Sequence, residues 1–202
     1  MRHDVPPGGP AATSRALGAV GDARTIVLVE GLSDQIALET LAARSGRDLA
    51  TDRVAIVPIG GAQAIDRFLG RFAGDTRLAG LCDSGEEDVF RRAIERAGLG
   101  PAPTRAAMER LGFYVCVADL EDELIRALGT DAVEGVLAEN GDLPAFRTFQ
   151  KQPAWRGRPV DRQLRRFLGS ADRRKLRYAR LLVESLEPAG VPAPLTAVLE
   201  RI

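Results

Sequence analysis

The chain has 202 residues, of which 45% are hydrophobic and 28% charged, a composition typical of one soluble domain with its own core. Its formal net charge is zero, so the total charge gives no indication of nucleic-acid binding. The charge is distributed unevenly, however: Arg147–Arg180 contains twelve basic and two acidic residues, a local charge of +10, which leaves −8 on residues 1–146 and −2 on the tail. This asymmetry indicates a metal site beside a polyanion-binding surface, although solvated Arg-rich helices explain it equally well.

Several kinds of protein are excluded by what the sequence lacks. The single histidine, His3, lies near the N-terminus, and Cys82 and Cys116 stand in separate apolar runs without a CxxC motif, so a zinc site is not expected. Both cysteines are predicted to be reduced core residues, which fits a reducing compartment. No apolar run approaches the roughly 20 residues that span a bilayer. Residues 1–23 lack a signal-peptide core and predict a disordered leader, so we expect a cytoplasmic protein.

Strands and helices alternate from residue 25 to residue 128. Continuous apolar runs predict four strands, at Thr25–Glu30, Val54–Ile59, Leu78–Cys82 and Phe113–Val117. Helical spacing of apolar residues predicts helices at Ser33–Ala43 (with Ser33 as N-cap), Ala62–Phe72, Glu86–Ala97 and about Asp119–Leu128. This alternation is typical of βαβ units and predicts an α/β fold, with a parallel sheet of about four strands over residues 24–129.

Beyond residue 129 the pattern predicts helices without strands. Helical or loop-like segments cover 130–139, 143–151, 160–168, 172–187 and 193–201, with a break at 155–159. We therefore predict a helical C-terminal extension, residues 130–202, packed on the sheet domain. Aromatic residues interleave with the basic ones here, a pattern that suits base stacking but suits helix packing equally well, and we favour packing for most of them. These residues are Phe146, Phe149, Trp155, Phe167 and Tyr178.

Acidic residues follow three of the predicted strands. Glu30 follows the first, Asp83 the third, and Asp119 and Glu121 the fourth, while Asp34 lies in the first turn after Glu30. Because the carboxyl ends of parallel strands share one edge, we expect these side chains to converge. Converging carboxylates repel each other unless a cation neutralises them, and an oxygen-only set indicates Mg²⁺ or Mn²⁺. Each residue alone is explained equally well as a helix cap, but their occurrence after three strands favours a metal site.

Five segments of the sequence carry a resemblance to a known family. VLVEGLSDQIALETLA resembles the opening motif of Toprim domains, and LCDSGEED stands where that family has an Asp-x-Asp signature. The blocks ADLEDELIRALG and RRKLRYARLLVESL, with a final VPAPL, resemble the Toprim region of overcoming-lysogenization-defect (OLD) nucleases. The resemblance covers about residues 24–200 and implies a Toprim (Rossmann-like) fold, metal-dependent phosphodiester chemistry, and a stand-alone protein without the ATPase half.

The resemblance also implies roles for individual residues. It implies metal ligands at Glu30, Asp34, Asp83, Asp119 and Glu121. It implies catalytic roles for Glu30 and for Lys175, which would stabilise charge on the phosphate. The basic stretch supplies the predicted nucleic-acid-binding residues Lys151, Arg156, Arg158, Arg173, Arg174 and Arg177.

One position departs from the family pattern. Gly85 replaces the second Asp of Asp-x-Asp, so Glu86 or Glu87 must supply that oxygen. Neighbouring helical residues point about 100° apart, so at most one of the two coordinates, and we choose Glu86. If neither does, metal affinity falls and the protein is a weak or inactive relative.

The leading hypothesis is a Mg²⁺- or Mn²⁺-dependent nuclease, or a related phosphoryl-transfer enzyme, acting on DNA. The alternative is a non-catalytic Toprim module that binds nucleic acid or a nucleotide, or that regulates a separate ATPase partner. A third reading, a receiver-like domain phosphorylated on Asp83, lacks an acidic pair after the first strand and a lysine after a fifth. Gly60-Gly61 suits a phosphate cradle, but the absence of GxxxxGK[ST] and GxGxxG favours a plain turn.

Overall fold

The structure is a computed structural model that describes residues 13–14, 17–18, 20–72, 74 and 76–202. Much of the predicted leader, namely residues 1–12, 15–16 and 19, lies outside the described residues. Thr13, a residue of the predicted leader that the structure does describe, is buried, and its hydroxyl donates a hydrogen bond to the carbonyl of Pro58 at 2.9 Å. In the described part of the chain, no helix combines the length and the apolar character that crossing a membrane requires.

Four parallel strands form one sheet in the order β2-β1-β3-β4. They are β1 (Thr25–Val29), β2 (Val54–Pro58), β3 (Arg77–Cys82) and β4 (Phe113–Val115). The predicted parallel sheet is confirmed, and the carboxyl ends of all four strands lie along one edge. The last strand is shorter than predicted, because the N–H of Val117 bonds to the Glu123 carboxylate at 2.6 Å and Val117 is exposed.

Helices cover both faces of the sheet. In chain order they are α1 (Leu32–Arg44), α2 (Ile65–Phe72), α3 (Glu87–Arg96), α4 (Arg105–Arg110), α5 (Leu120–Leu128), α6 (Thr130–Glu139), α7 (Leu143–Gln150), α8 (Val160–Leu168), α9 (Asp172–Ser185) and α10 (Ala193–Arg201), with short 3₁₀ turns at Ala62–Ala64, Ser84–Glu86 and Pro188–Gly190. Helix α4 was not predicted. The predicted N-cap Ser33 is wrong: Gly31 is the N-cap, and Ser33 is buried in the first turn.

The side chains of β1 alternate between two hydrophobic cores, as the period of a strand requires. Val27 and Val29 join the core that contains α1 and the C-terminal helices, whereas Ile26 and Leu28 join the core of α2, α3 and α4. The helical extension therefore shares one continuous core with the sheet. The two free cysteines are buried, one in each core, and burial raises the pKa of both thiols.

Close packing at the centre of the sheet depends on Gly80. A Cβ added to this residue would lie 2.7 Å from Cδ1 of Phe113, closer than side chains approach each other. The glycine lets the Phe113 ring fill the space over β3. On the other face, the Arg44 guanidinium donates hydrogen bonds to the carbonyls of Val183 and Leu186, which fixes α9 along α1. Helix α9 is the element that carries Lys175.

Candidate metal centre and adjoining basic cavity

Glu30 joins the carboxyl ends of the two central strands. It follows β1, and its Oε1 accepts a hydrogen bond at 2.8 Å from the backbone N–H of Asp83, which follows β3. Burial raises the pKa of Glu30 and repulsion from Glu86 adds to this, while the Asp83 N–H and Lys175 oppose it. Sheet topology therefore places these two residues together, as the sequence predicted.

Asp34 reaches the same edge from the first turn of α1. Its side chain is 9% exposed, and its Oδ2 accepts the N–H of Gly31 at 2.9 Å, so it also caps the helix. Burial raises its pKa to about 6, against the attraction of Lys175. The capping explanation and the site explanation both apply to this residue.

Asp83 has the most strongly perturbed carboxyl group of the site. Its side chain makes no hydrogen bond or ion pair to any part of the chain that the structure describes. Burial raises its pKa to about 8, and repulsion from Glu30, Asp34 and Asp119 contributes, with Lys175 acting in the opposite direction. A carboxylate in this environment is costly to ionise unless more positive charge is present.

Asp119 and Glu121 approach from the start of α5. Asp119 is the N-cap: its Oδ1 accepts the N–H of Asp122 at 2.9 Å, and its Oδ2 pairs with Nε of Arg165 at 2.7 Å. Glu121 is 7% exposed and pairs with Nζ of Lys175 at 3.5 Å. Burial raises the pKa of Glu121, and Lys175 opposes this.

The other two acidic residues of α5's first turn serve a different purpose. Asp122 pairs with Arg126 at 2.8 Å, and Glu123 pairs with the same guanidinium at 2.6 Å. Glu123 also accepts the N–H of Val117. Of the four acidic residues at the start of α5, Asp119 and Glu121 are therefore directed to the site, and Asp122 and Glu123 are engaged locally.

Lys175 supplies positive charge to these carboxylates and pairs with Glu121. Burial lowers its pKa, but attraction from Glu121, Asp34 and Asp83 outweighs burial, so the pKa lies above its ordinary value. We refer to the residues gathered around it as the carboxylate site: Glu30, Asp34, Asp83, Asp119 and Glu121, together with Lys175.

Glu86 and Glu87 are separated as the helical geometry predicts. Glu87 pairs with Arg105 at 2.5 Å and is thereby turned away. Glu86 lines a cavity of about 630 Å³ together with Glu30, the Gly60-Gly61 turn and Arg67. The two glycine N–H groups donate to the Glu30 carbonyl at 3.1 and 3.0 Å, so this turn has no free donors for a phosphate.

The site contains ligand atoms of the kind that suits a divalent ion, but these atoms are not arranged around one position. Among the described residues, no three His, Cys, Asp or Glu side chains form a group that could hold an ion as they stand. The donor set is nevertheless of the oxygen-only kind that suits Mg²⁺ or Mn²⁺. Four of its carboxyl groups have raised pKa values, which means that their ionisation is costly in this environment. A bound cation would relieve that cost. Ligation by Glu30, Asp34, Asp83, Glu86, Asp119 and Glu121 thus stays a prediction and requires side-chain movement.

A cavity of about 820 Å³, which we call the basic cavity, adjoins the carboxylate site and shares three residues with it. It is lined by Asp119, Glu121, Lys175, Ala154, Trp155, Arg158, Arg162, Arg165, Arg166 and Gly169. The predicted nucleic-acid-binding residue Arg158 lies here. Sequence reasoning missed Arg162 and Arg166, although their spacing of four residues on α8 was a readable signal of one helix face.

The other predicted nucleic-acid-binding residues lie elsewhere on the surface. Arg174 covers the ring of Phe167 at 4.0 Å and donates to Ser170, and Arg177 pairs with Asp142. Arg156 donates to the carbonyl of Lys151, and Arg173 is exposed on α9.

The aromatic residues of the extension pack as predicted. Phe146, Phe167 and Tyr178 are buried, with Phe146 and Phe167 in ring contact at 5.2 Å. Trp155 lies at the edge of this cluster, 5.2 Å from the Phe149 ring, and lines the basic cavity.

The chain is similar to one family model and to several solved structures. Residues 23–74 match the family model described as the TOPRIM domain of overcoming-lysogenization-defect-protein-like proteins. No curated protein sequence matches the chain. The fold is similar to solved structures of the C-terminal region of the Xanthomonas campestris pv. campestris OLD protein. One of them has 18% identity and a TM-score of 0.65, and the match covers 89% of this chain and 94% of that one. Another has 21% identity and a TM-score of 0.65, with coverage of 92% and 94%. The C-terminal region of the Burkholderia pseudomallei OLD protein gives 17% identity, TM-score 0.65 and coverage of 89% and 96%.

Proposed function

We propose that this chain, a Toprim protein resembling the C-terminal region of OLD proteins, is a Mg²⁺- or Mn²⁺-dependent phosphodiesterase that cleaves DNA. The observation that carries the proposal is the meeting of carboxylates from three strand ends around one lysine, directly beside a basic cavity. An acidic site that attracts a cation and a basic surface that attracts phosphate are the two parts that such chemistry needs.

The residues that would hold the metal are Glu30, Asp34, Asp83, Glu86, Asp119 and Glu121. When bound, the metal would activate water and stabilise charge on the phosphate oxygens. Glu30 is well suited to accept a proton, because its pKa is raised and the Asp83 N–H fixes its orientation. Lys175 is suited to balance negative charge on the phosphate, since it reaches both the carboxylate site and the basic cavity.

The replacement of Asp by Gly85 bears on how strong the activity is. Gly85 has no atom within 4 Å of the position that a Cβ would occupy, so the missing carboxylate is not replaced by another group at this point. Glu86 is the neighbouring carboxylate with an electrostatic effect on Glu30, and it remains our choice for the substitute ligand.

The direct test is cleavage of supercoiled plasmid with Mn²⁺, with Mg²⁺ or with EDTA. We expect nicking with the metals and none with EDTA, and a loss of at least about 100-fold in Glu30→Gln and in Asp83→Asn. Asp88→Asn is the matched control, because Asp88 is exposed and pairs only locally with Arg91. Equal activity in all three variants would disprove the assignment of the site.

A second candidate is a non-catalytic module that binds nucleic acid or a nucleotide, or that regulates a separate ATPase. The ion pair between Lys175 and Glu121 favours it, because a lysine already supplies positive charge to the carboxylate site. DNA binding that survives in EDTA, without cleavage in any metal, would support this candidate over the enzyme.

A further inference from the structure

Three arginines that line the basic cavity have no acidic partner in the described part of the chain. Arg158, Arg162 and Arg166 form no ion pair or side-chain hydrogen bond there, while their neighbour Arg165 pairs with Asp119. Elsewhere in the protein many arginines are neutralised, for example Arg96 by Asp66. The cavity therefore keeps uncompensated positive charge, which indicates an anionic ligand.

The wall of the same cavity contains a partly exposed tryptophan. The Trp155 ring packs against the ring of Phe149, with 5.2 Å between the centroids. Its backbone carbonyl accepts a hydrogen bond at 2.7 Å from Gln163, which is buried and is itself bonded to Gln150 at 2.6 Å. Trp155 is thus held in a fixed position. An indole held beside arginines can stack on a planar base while the arginines bind phosphates.

The dimensions of the cavity restrict the form of the nucleic acid. About 820 Å³ is within the range of small-molecule sites and accommodates a short stretch of one strand. A paired duplex keeps its bases stacked inside the helix, where Trp155 cannot reach their faces. A base can contact the indole only from a single strand, a frayed end or a flipped position.

We propose that the basic cavity binds a nucleotide of single-stranded DNA, with its base stacked on Trp155 and its phosphates on Arg162 and Arg166. The placing of this nucleotide next to the cleaved phosphate rests on the proposed function, because the cavity shares Asp119, Glu121 and Lys175 with the carboxylate site. The inference adds the substrate class to that function: DNA with an unpaired segment.

Trp155 is the only tryptophan in the chain, so intrinsic fluorescence reports on this cavity alone. The experiment titrates the 202-residue chain in EDTA, where no cleavage is expected, with oligo-dT, with the same length of duplex, and with an abasic strand. We expect quenching and tight binding with oligo-dT, and binding at least several-fold weaker with the abasic strand and the duplex. Equal binding of all three, or binding of oligo-dT without any change in fluorescence, would overturn the inference.

Variants separate the two kinds of contact. Arg166→Gln should reduce the slope of log affinity for oligo-dT against log salt by about 0.7, the value for one phosphate contact on a single strand. Arg110→Gln is the matched control, because both arginines are exposed in the last turn of a helix, and its slope should not change. Trp155→Ala should weaken binding about 5- to 100-fold, and Trp155→Phe should restore most of it. A Phe variant as weak as the Ala variant would argue against stacking.

The outcomes distinguish this inference from the proposed function. Strand-selective quenching in EDTA without cleavage in Mn²⁺ would support the cavity and reject the enzyme. Metal-dependent cleavage that depends on Glu30, with no preference for unpaired DNA and no fluorescence change, would support the enzyme and reject the cavity.

Discussion

The carboxylate site and the basic cavity share residues, but the fold assembles them in different ways. The carboxylates follow strands that are neighbours in a parallel sheet, so the strand order alone brings Glu30 and Asp83 together. The arginines of the cavity stand on α8 and on the loop before it, and their position depends on how the C-terminal helices pack. Sheet topology therefore positions the carboxylates, and helix packing positions the arginines beside them.

Lys175 belongs to both regions, so its replacement should have the largest effect. Lys175→Met removes the positive charge that opposes the raised pKa values of Asp34, Asp83 and Glu121. We expect the rate of plasmid cleavage in Mn²⁺ to fall about 100- to 1,000-fold. The other lysine of the chain, the exposed Lys151, provides the control Lys151→Met, which should retain its rate. Similar losses in both variants would show that the assay does not report on the site.

The pH dependence of stability tests the carboxylate site without any substrate. Burial raises the pKa of Asp83 to about 8 in the folded protein from its ordinary value of 3.8, so the folded state retains a proton that the unfolded state releases. This contribution to stability is fully present below about pH 4 and is lost as the pH rises to about 8. Asp83→Asn does not titrate, so relative to wild type in EDTA it should gain about 1–3 kcal/mol between pH 4 and pH 9. Urea denaturation at both pH values measures it, and a constant difference would contradict the environment assigned to Asp83.

Restoring the missing acid should have a smaller effect on the same region. Gly85 is exposed and has space for a side chain, so Gly85→Asp should fold normally and add a carboxylate beside Asp83. We expect Mn²⁺ to bind several-fold more tightly by calorimetry, since a further oxygen ligand becomes available. Gly135→Asp, at another exposed glycine with open space, should leave Mn²⁺ binding unchanged. Weaker binding in the Gly85 variant would show that added negative charge outweighs the gain of a ligand.

The smallest effect is expected at the ion pair that joins the two regions. Arg165 and Asp119 lie 2.7 Å apart, but the arginine side chain is 44% exposed, so water screens the pair. Arg165→Gln should change the free energy of unfolding by less than about 1 kcal/mol. Arg96→Gln, which breaks the exposed pair with Asp66, should give a similar value in the same urea experiment. A much larger loss for Arg165 would mean that the two regions form one structural unit.

The sequence predicted the sheet well because the strands are mostly apolar runs buried on both faces. Strands β1 and β2 end one residue earlier than expected, and β4 ends two residues earlier. Glu30 and Asp83 were found by the same logic, since a residue that follows a strand lies at the edge of the sheet. Helix α4 has only six residues, too few for an apolar period to appear. The ion pair of Glu87 could not be predicted for another reason: its partner Arg105 is 18 residues away, and only tertiary packing brings the two together.

The Asp83 N–H binds one carboxylate oxygen of Glu30, and the other oxygen has no hydrogen-bond partner among the residues that the structure describes. Glutamine at this position can keep Oε1 on the same N–H, and its amide group then replaces the second oxygen with a hydrogen-bond donor. The substitution preserves the link between neighbouring strand ends while reversing the polarity presented to a cation. Glu30→Gln should therefore separate the two duties of this side chain, holding the sheet edge intact and leaving it repellent to positive ions.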